Sequence, residues 1–268
     1  MSKSDSFFAL AAHARAADVD RYLCALFAPR SARSALFALI LFNGEIARVR
    51  EVVSDPMLGQ IRLQWWRDVI GEIYAGQTRR HEVVQPLAEA IREHDLTRSY
   101  FDSLIDARER DLDDSPPETL AALEAYAEQS AAPLVSLTLE AVGADAASLV
   151  DLARHSGTAW ALAGLVRAVP HFAAQGRSLL PRSVKDESGT TSAIVAMSDA
   201  ARQHVDRARQ LRKGLPIAAK RATLQTVLAD AYLRRLAAYG YDPYHTRADI
   251  GSLHRQLLLI RASFLGLA

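Results

Sequence analysis

The chain has little of what marks secreted, membrane-spanning or metal-bound proteins. Cys24 is the single cysteine among 268 residues, which excludes an intrachain disulfide framework, fits a reducing compartment and predicts a buried thiol. The longest unbroken apolar run, residues 35–42, falls far short of the roughly 20 residues that a membrane-spanning helix requires. Near the N-terminus, FFALAA is interrupted by His13 and Arg15, too soon for the core of a signal peptide. Secretion is therefore not expected, residues 1–17 are expected to form a flexible N-terminus, and the protein is expected to be soluble or peripheral. With 32 Lys and Arg against 31 Asp and Glu, no global field points to nucleic acid as a partner. The histidines show no H-E-x-x-H pairing, and neither G-x-S-x-G nor a glycine-rich phosphate loop is present, so zinc, hydrolase and nucleotide chemistry lack support.

What is abundant is helical pattern. Apolar residues make up 50% of the chain and recur at spacings of three and four, without runs of alternating β-branched residues. One all-α domain over residues 1–268 is expected, a bundle long enough to bury a substantial core. Ser31 is a candidate cap for a helix running to about residue 53, and Gly76 closes a second over 60–74. Further helices are expected over 97–112, 120–129, 134–142 and 146–169, the last stopped by Pro170. Residues 170–191, with two prolines, two glycines and several charges, read as the longest loop, a candidate lid or binding segment. Helices over 192–212, 216–239 and 250–267 complete the chain.

Two segments carry the chemistry. In the first, residues 33–51, RSALFALILFNGEIARVRE, a helix apolar on every side turns polar at Asn43, Glu45 and Arg48. On an unbroken helix Asn43, Ala47 and Glu51 would share one face. The second, residues 156–181, SGTAWALAGLVRAVPHFAAQGRSLLP, keeps Gly157, Arg167, Arg177 and Pro181 in a helix-then-loop pattern. Both segments resemble signatures of the squalene/phytoene synthase family. There, R-x-A-x-x-A-x-Y-A-x-x-R-x-x-D-D-x-x-D and L-G-x-x-x-Q-x-x-N-x-x-R-D-x-x-x-D point carboxylates at magnesium ions holding a prenyl diphosphate.

Aligned on Arg33, Ala35 and Ala38, the three acidic positions of the first signature fall on Ala47, Arg48 and Glu51, and only one acid remains. In the second, the glutamine and asparagine positions hold Ala161 and Gly164, and the aspartate positions hold Ala168 and Phe172, with His171 beside them. Magnesium needs hard oxygen donors, which these side chains do not offer. At about 6 Å and an effective dielectric near 20, a cation such as Arg48 would repel a divalent ion by roughly 5 kcal/mol. The family's condensation, which needs a Lewis acid at the diphosphate, is expected to fail. Neither catalytic residues nor a cofactor are expected, magnesium entering only if the chain is an active prenyltransferase after all.

Loss of chemistry leaves binding open. Arg48, Arg50, Arg167 and Arg177 are candidates to hold an anionic head group at the mouth of an apolar cavity; alternatively Arg48 and Arg50 are solvated or pair with Glu45 and Glu51. His171 is either a donor to such an anion or an ordinary loop histidine. Trp65 and Trp66 are candidate core aromatics or a partner surface. The acids of DARERDLDD, residues 106–114, read as a solvated helix end with internal ion pairs rather than a metal cluster. The basic residues between Arg202 and Arg221 could face anionic lipid or an acidic partner subunit, or form a plain solvated face, and the apolar stripe of the last helix could bind membrane or pack against the bundle.

The combination of N-x-E-I-A-x-V at residues 43–49, the tandem tryptophans and the non-acidic second segment is most similar to the branch containing the mitochondrial respiratory complex I assembly factor. That resemblance implies a non-enzymatic role in building NADH:quinone oxidoreductase. Its expected partners are complex I subunits or assembly intermediates, with possible prenyl or anionic lipid. It also implies a cytoplasmic location or a peripheral one on the inner membrane face. The alternatives are an active prenyltransferase making a squalene- or phytoene-like product, and a carrier of a prenyl lipid or quinone.

Overall fold

The computed structural model describes residues 3–53 and 55–265. Among them all regular structure is helical, as the periodicity requires. In chain order the helices are α1 (Lys3–Ala17), α2 (Val19–Ala25), α3 (Arg33–Ala47), α4 (Val49–Val52), α5 (Pro56–Tyr74), α6 (Val84–His94) and α7 (Arg98–Ala107). They continue as α8 (Leu120–Ala141), α9 (Val150–Arg167), α10 (Val169–Ala174), α11 (Arg182–Leu211), α12 (Ile217–Ala222), α13 (Gln225–Ala238) and α14 (Ser252–Leu265). Two compact units emerge: one of Met1–Asp113, Pro133–Val150 and Leu215–Ala222, the other of Asp114–Ala132, Asp151–Gly214 and Thr223–Ala268. The chain passes between them inside α8, at Pro133.

In the first unit α3 is the central element. Its residues from Ala35 to Asn43 are all buried, and it packs against α1, α2 and α6. Phe42 meets the edges of Trp66 and Phe101, each with ring centroids 5.3 Å away, so aromatic side chains from α3, α5 and α7 close one core. Each such fully buried side chain contributes roughly 1.5–3 kcal/mol of transfer free energy. Local signals set the ends of α5. Asp55 accepts the Met57 N–H at 2.8 Å, with Pro56 in the first turn. At the other end Gly76, at φ +82°, lets Gln77 N–H reach back to the Glu72 carbonyl at 2.8 Å.

The second unit is built on α9, α11 and α13, with α14 packed on α13. Trp160, Met197 and Tyr232 are among its buried side chains.

Several expected boundaries are corrected. Residues 3–17 are not a flexible tail but helix α1, held by fully buried Ala14 and by Phe7 against Phe37, 5.8 Å between rings. A side-chain cap from Ser31 does not form; a 3-10 turn over Arg30–Ala32 leads into α3 instead. The helix expected to reach residue 53 breaks at Arg48, whose backbone leaves helical geometry at φ −88° and ψ 1°. Residues 77–97, given no element from sequence, contain α6, whose Val84, Leu87, Ala88 and Ile91 line a buried face.

The helices expected over 120–129 and 134–142 are one helix, because Pro133 withdraws a single N–H without ending it. The expected loop over 170–191 is mostly helical: Pro170 lies in the first turn of α10, where a missing N–H costs nothing, and α11 starts at Arg182 and kinks at Gly189. The single helix expected over 216–239 is instead α12 and α13.

Candidate functional site

The first motif lies at the C-terminal end of α3 and across the break into α4. Asn43 is 7% exposed, and its Oδ1 has no hydrogen-bond partner. Ala47 ends α3, and the break at Arg48 takes Glu51 off the continuous face that Asn43 and Ala47 share. The Arg48 side chain is largely exposed and turns back along its own helix: Nη2 donates to Glu45 Oε1 at 2.7 Å and Nε to the Gly44 carbonyl at 3.2 Å. Arg50 Nη1 donates to the Val53 carbonyl at 3.2 Å. Both guanidinium groups are thus engaged locally, and Arg48 takes the Glu45 pairing that its sequence position allowed.

The second motif begins where α9 presses on α8. A methyl group at Gly157 would come within 2.6 Å of the Cα and N atoms of Ala132, so glycine here allows backbone-to-backbone contact. Further along, Ala161 and Gly164 are partly buried, and a Cβ at Gly164 would meet nothing within 4 Å. Space for a larger polar side chain exists at that position; the side chain does not. Arg167 ends α9 with its guanidinium carbon 3.6 Å from the centroid of Tyr232, and Nη2 lies 3.5 Å from Asp249 Oδ1. Ala168 is the joint between α9 and α10. His171 is exposed and shares a 3.0 Å hydrogen bond with Gln175. Phe172 lies under Arg177, 5.6 Å from guanidinium carbon to ring, and Arg177 Nε pairs with Asp114 at 2.8 Å. The Arg177 side chain is only 13% exposed, which makes it part of the packing around α10 as well as a charged group.

These residues do not fit magnesium. Asn43 and Glu51 are the oxygen-bearing side chains left among the named positions of the first motif, and Ala161, Gly164, Ala168 and Phe172 supply none at the second. Among the described residues, no group of three His, Cys, Asp or Glu side chains is arranged to hold a metal ion.

The other sequence candidates resolve into structural roles within the first unit. Trp66 is 2% exposed in the core, and Trp65 lies against it at 4.9 Å with Arg79 5.4 Å from its ring. Of the acids in residues 106–114, Asp106 and the intervening Glu109 share Arg67, at 2.8 and 2.6 Å. Asp111 pairs with Arg108 at 3.4 Å and Asp113 with Arg110 at 3.3 Å.

Two features of the second unit have no sequence motif. His155 of α9 and His204 of α11 join through Nδ1 atoms 2.9 Å apart, a pairing of residues 49 positions apart that no local pattern announces. Burial first, then His204 and Arg154, holds the His155 imidazole down at about 4, and burial followed by Arg154 lowers His204. The basic residues of α11 also do not form one solvated face. Arg202 donates to Tyr241 and Asp199, both at 2.9 Å; Arg209 bridges Asp206 and Asp230; and Arg212 is buried. The Arg234–Arg235 doublet on α13 was the available signal that α11 is not the only basic element here.

A helical fold with a buried central helix α3 and a second helix-then-loop segment at α9 and α10 defines a class, the all-α isoprenoid-synthase-type fold. Residues 14–256 match the squalene/phytoene synthase model, and the chain belongs to that family. Among curated relatives, complex I assembly factor 6 of Bos taurus is 30% identical over 245 residues, covering 86% of this chain and 74% of that protein. Presqualene diphosphate synthase of Rhodopseudomonas palustris is 27% identical over 165 residues, 61% of this chain and 58% of the enzyme. The crystal structure of a dehydrosqualene synthase superposes with a TM-score of 0.84 over 99% of this chain and 98% of that one at 15% identity, a likeness of fold.

Proposed function

We propose that this chain is a non-catalytic member of its family that assists the assembly of respiratory complex I, acting at the inner face of the membrane on subunits or assembly intermediates. The observation that carries this reading is the chemistry of the motif positions. Methyl groups at Ala47, Ala161 and Ala168, a hydrogen at Gly164, a ring at Phe172 and a guanidinium at Arg48 stand where the family's metal-binding and polar side chains would be. A diphosphate leaving group without a Lewis acid loses the charge stabilisation that makes it leave. The engagement of Arg48 with Glu45 and of Arg177 with Asp114 supports the same reading, because both groups serve their own surroundings. The longer alignment with the assembly factor than with the synthase points the same way.

Two assays test it. Purified protein given farnesyl or geranylgeranyl diphosphate and magnesium should release no pyrophosphate above the protein-free control; magnesium-dependent release would overturn the non-catalytic reading. A strain lacking the gene should lose NADH-driven quinone reduction through complex I while keeping its other respiratory activities; a normal complex I level would overturn the assembly role.

A further inference from the structure

The second unit contains a groove and a helix face that together have the chemistry of an amphiphile's binding site. The groove, about 730 Å³, is lined from α11 by Arg209, from just beyond its end by Arg212, from α13 by Asp230, Arg234 and Arg235, and from α14 by His254. Its lining is basic: Arg209 is bridged by Asp206 and Asp230, Arg212 is buried, Arg235 Nε donates to the Arg247 carbonyl at 2.8 Å, and Arg234 reaches the surface. Arg209 and Arg234 both pair with Asp230, at 3.0 and 2.8 Å, and a single carboxylate cannot neutralise two guanidinium groups, each with five N–H donors. Arg234 is 69% exposed, leaving much of its fork turned toward solvent.

Beside this groove α14 carries an exposed apolar stripe. Leu253, Leu257, Ile260 and Phe264 are 66, 56, 46 and 71% exposed, and their spacing of four, three and four places them along one side of the helix. Between Leu253 and Phe264 the stripe runs for about 16 Å at 1.5 Å per residue. Single exposed leucines are ordinary, but four in line are not. The helix, SLHRQLLLIRASFL, contains no acid, and Arg261 and His254 follow the stripe on the side that bears groove residue Leu258.

We infer that α14 rests on an anionic lipid bilayer, its apolar stripe entering the acyl boundary while the arginine groove receives the phosphate of a phospholipid head group. Charge complementarity selects this occupant: the groove lining carries more guanidinium groups than carboxylates, a purely apolar partner would cover the exposed Arg234 fork without an anion, and a soluble anion would leave the stripe in water. An anionic phospholipid presents both chemistries in one molecule, and a surface-lying basic amphipathic helix is the arrangement that uses both. The inference does not depend on the proposed function.

Co-sedimentation of the full chain with vesicles tests it, comparing phosphatidylcholine alone with an equimolar mixture of phosphatidylcholine and phosphatidylglycerol. The protein should bind the anionic vesicles at least about thirtyfold more tightly. Leu257→Glu with Ile260→Glu should abolish that binding. Arg234→Gln with Arg235→Gln should weaken it by about thirtyfold while leaving the weak binding to neutral vesicles unchanged, given roughly 1 kcal/mol per basic residue at such a surface. Circular dichroism spectra should keep the native helical signal at the assay temperature, the two apolar positions and Arg234 being exposed and Arg235 holding the Arg247 carbonyl and the Tyr239 ring outside the core. No vesicle binding, equal binding to both compositions, or binding unaffected by either double variant would overturn the inference. So would saturable binding of inorganic phosphate in the groove without vesicle binding, which would assign the groove to a soluble anion.

Discussion

Gly157 of α9 and Ala132 of α8 touch backbone to backbone: a Cβ at Gly157 would lie 2.6 Å from both Cα and N of Ala132. An alanine there would gain up to about 1 kcal/mol of helix propensity. The methyl group has nowhere to go, however, because its neighbour is main chain rather than the end of a flexible side chain. Overpacking of this kind costs about 1–3 kcal/mol. Gly157→Ala should therefore lower stability by about 1–2 kcal/mol net, and Gly164→Ala, which meets open space, should raise it slightly. Urea midpoints of the two variants compare the effects directly.

The histidine pair makes stability depend on pH with a definite sign. The imidazoles of His155 and His204 both hold protons less readily when folded than at their ordinary value of 6.5, His155 down to about 4. Between those values the unfolded chain binds more protons than the folded one, so stability falls as pH drops below about 6.5 and keeps falling toward about 4. Above that range the pair contributes no slope. Urea unfolding at intervals from neutral to mildly acid pH should show this decline. His204→Gln, which can still hydrogen-bond His155 but does not titrate, should flatten it; an unchanged slope would remove the pair as its source.

Arg177 and Arg48 should respond differently to truncation although both were candidate anion ligands. The Arg177 side chain is 13% exposed, pairs with Asp114 and covers Phe172, so Arg177→Ala removes packing as well as a charge-assisted bond and should cost about 1.5–3 kcal/mol. The Arg48 side chain is 55% exposed in an i,i+3 pair with Glu45, an arrangement worth about 0–1 kcal/mol. Thermal or urea unfolding of both alanine variants would show whether the predicted order holds.

How much of this was legible in the sequence follows from what each feature depends on. The all-helical class, the end of α5 at Gly76 and the burial of α3 rest on local patterns that are present in the chain, whereas α5 begins at Pro56 with Asp55 as its cap, four residues before the expected start. The side-chain chemistry at Ala47, Ala161, Ala168 and Phe172 is read from residue type alone, since alanine and phenylalanine carry no oxygen. The break at Arg48 was not legible, because no glycine or proline stands at it. Proline does not always end a helix: Pro133 lies inside α8 and removes one N–H without stopping it, whereas Pro170 lies in the first turn of α10, where no N–H is needed. Partnerships such as His155 with His204, or the groove arginines of α11 and α13, depend on chain segments meeting across long stretches of sequence. No spacing rule anticipates them.

The lone surviving acid of the first motif gives the sharpest functional test. Glu51 is the only one of the three acidic positions to keep a carboxylate, and it lies in α4, beyond the break at Arg48. Were the chain a working synthase, this carboxylate would be a principal protein ligand left for the metal, and Glu51→Gln would cut activity by several orders of magnitude. A non-catalytic assembly protein has no such requirement at that atom. Glu51→Gln, which keeps the size and hydrogen-bonding capacity of the side chain while removing its charge, should therefore restore NADH-driven quinone reduction in a strain lacking the gene as fully as the native chain does. Failure to restore it, with normal amounts of the variant protein present, would place a charge-dependent function at Glu51 and return the enzyme reading to first place.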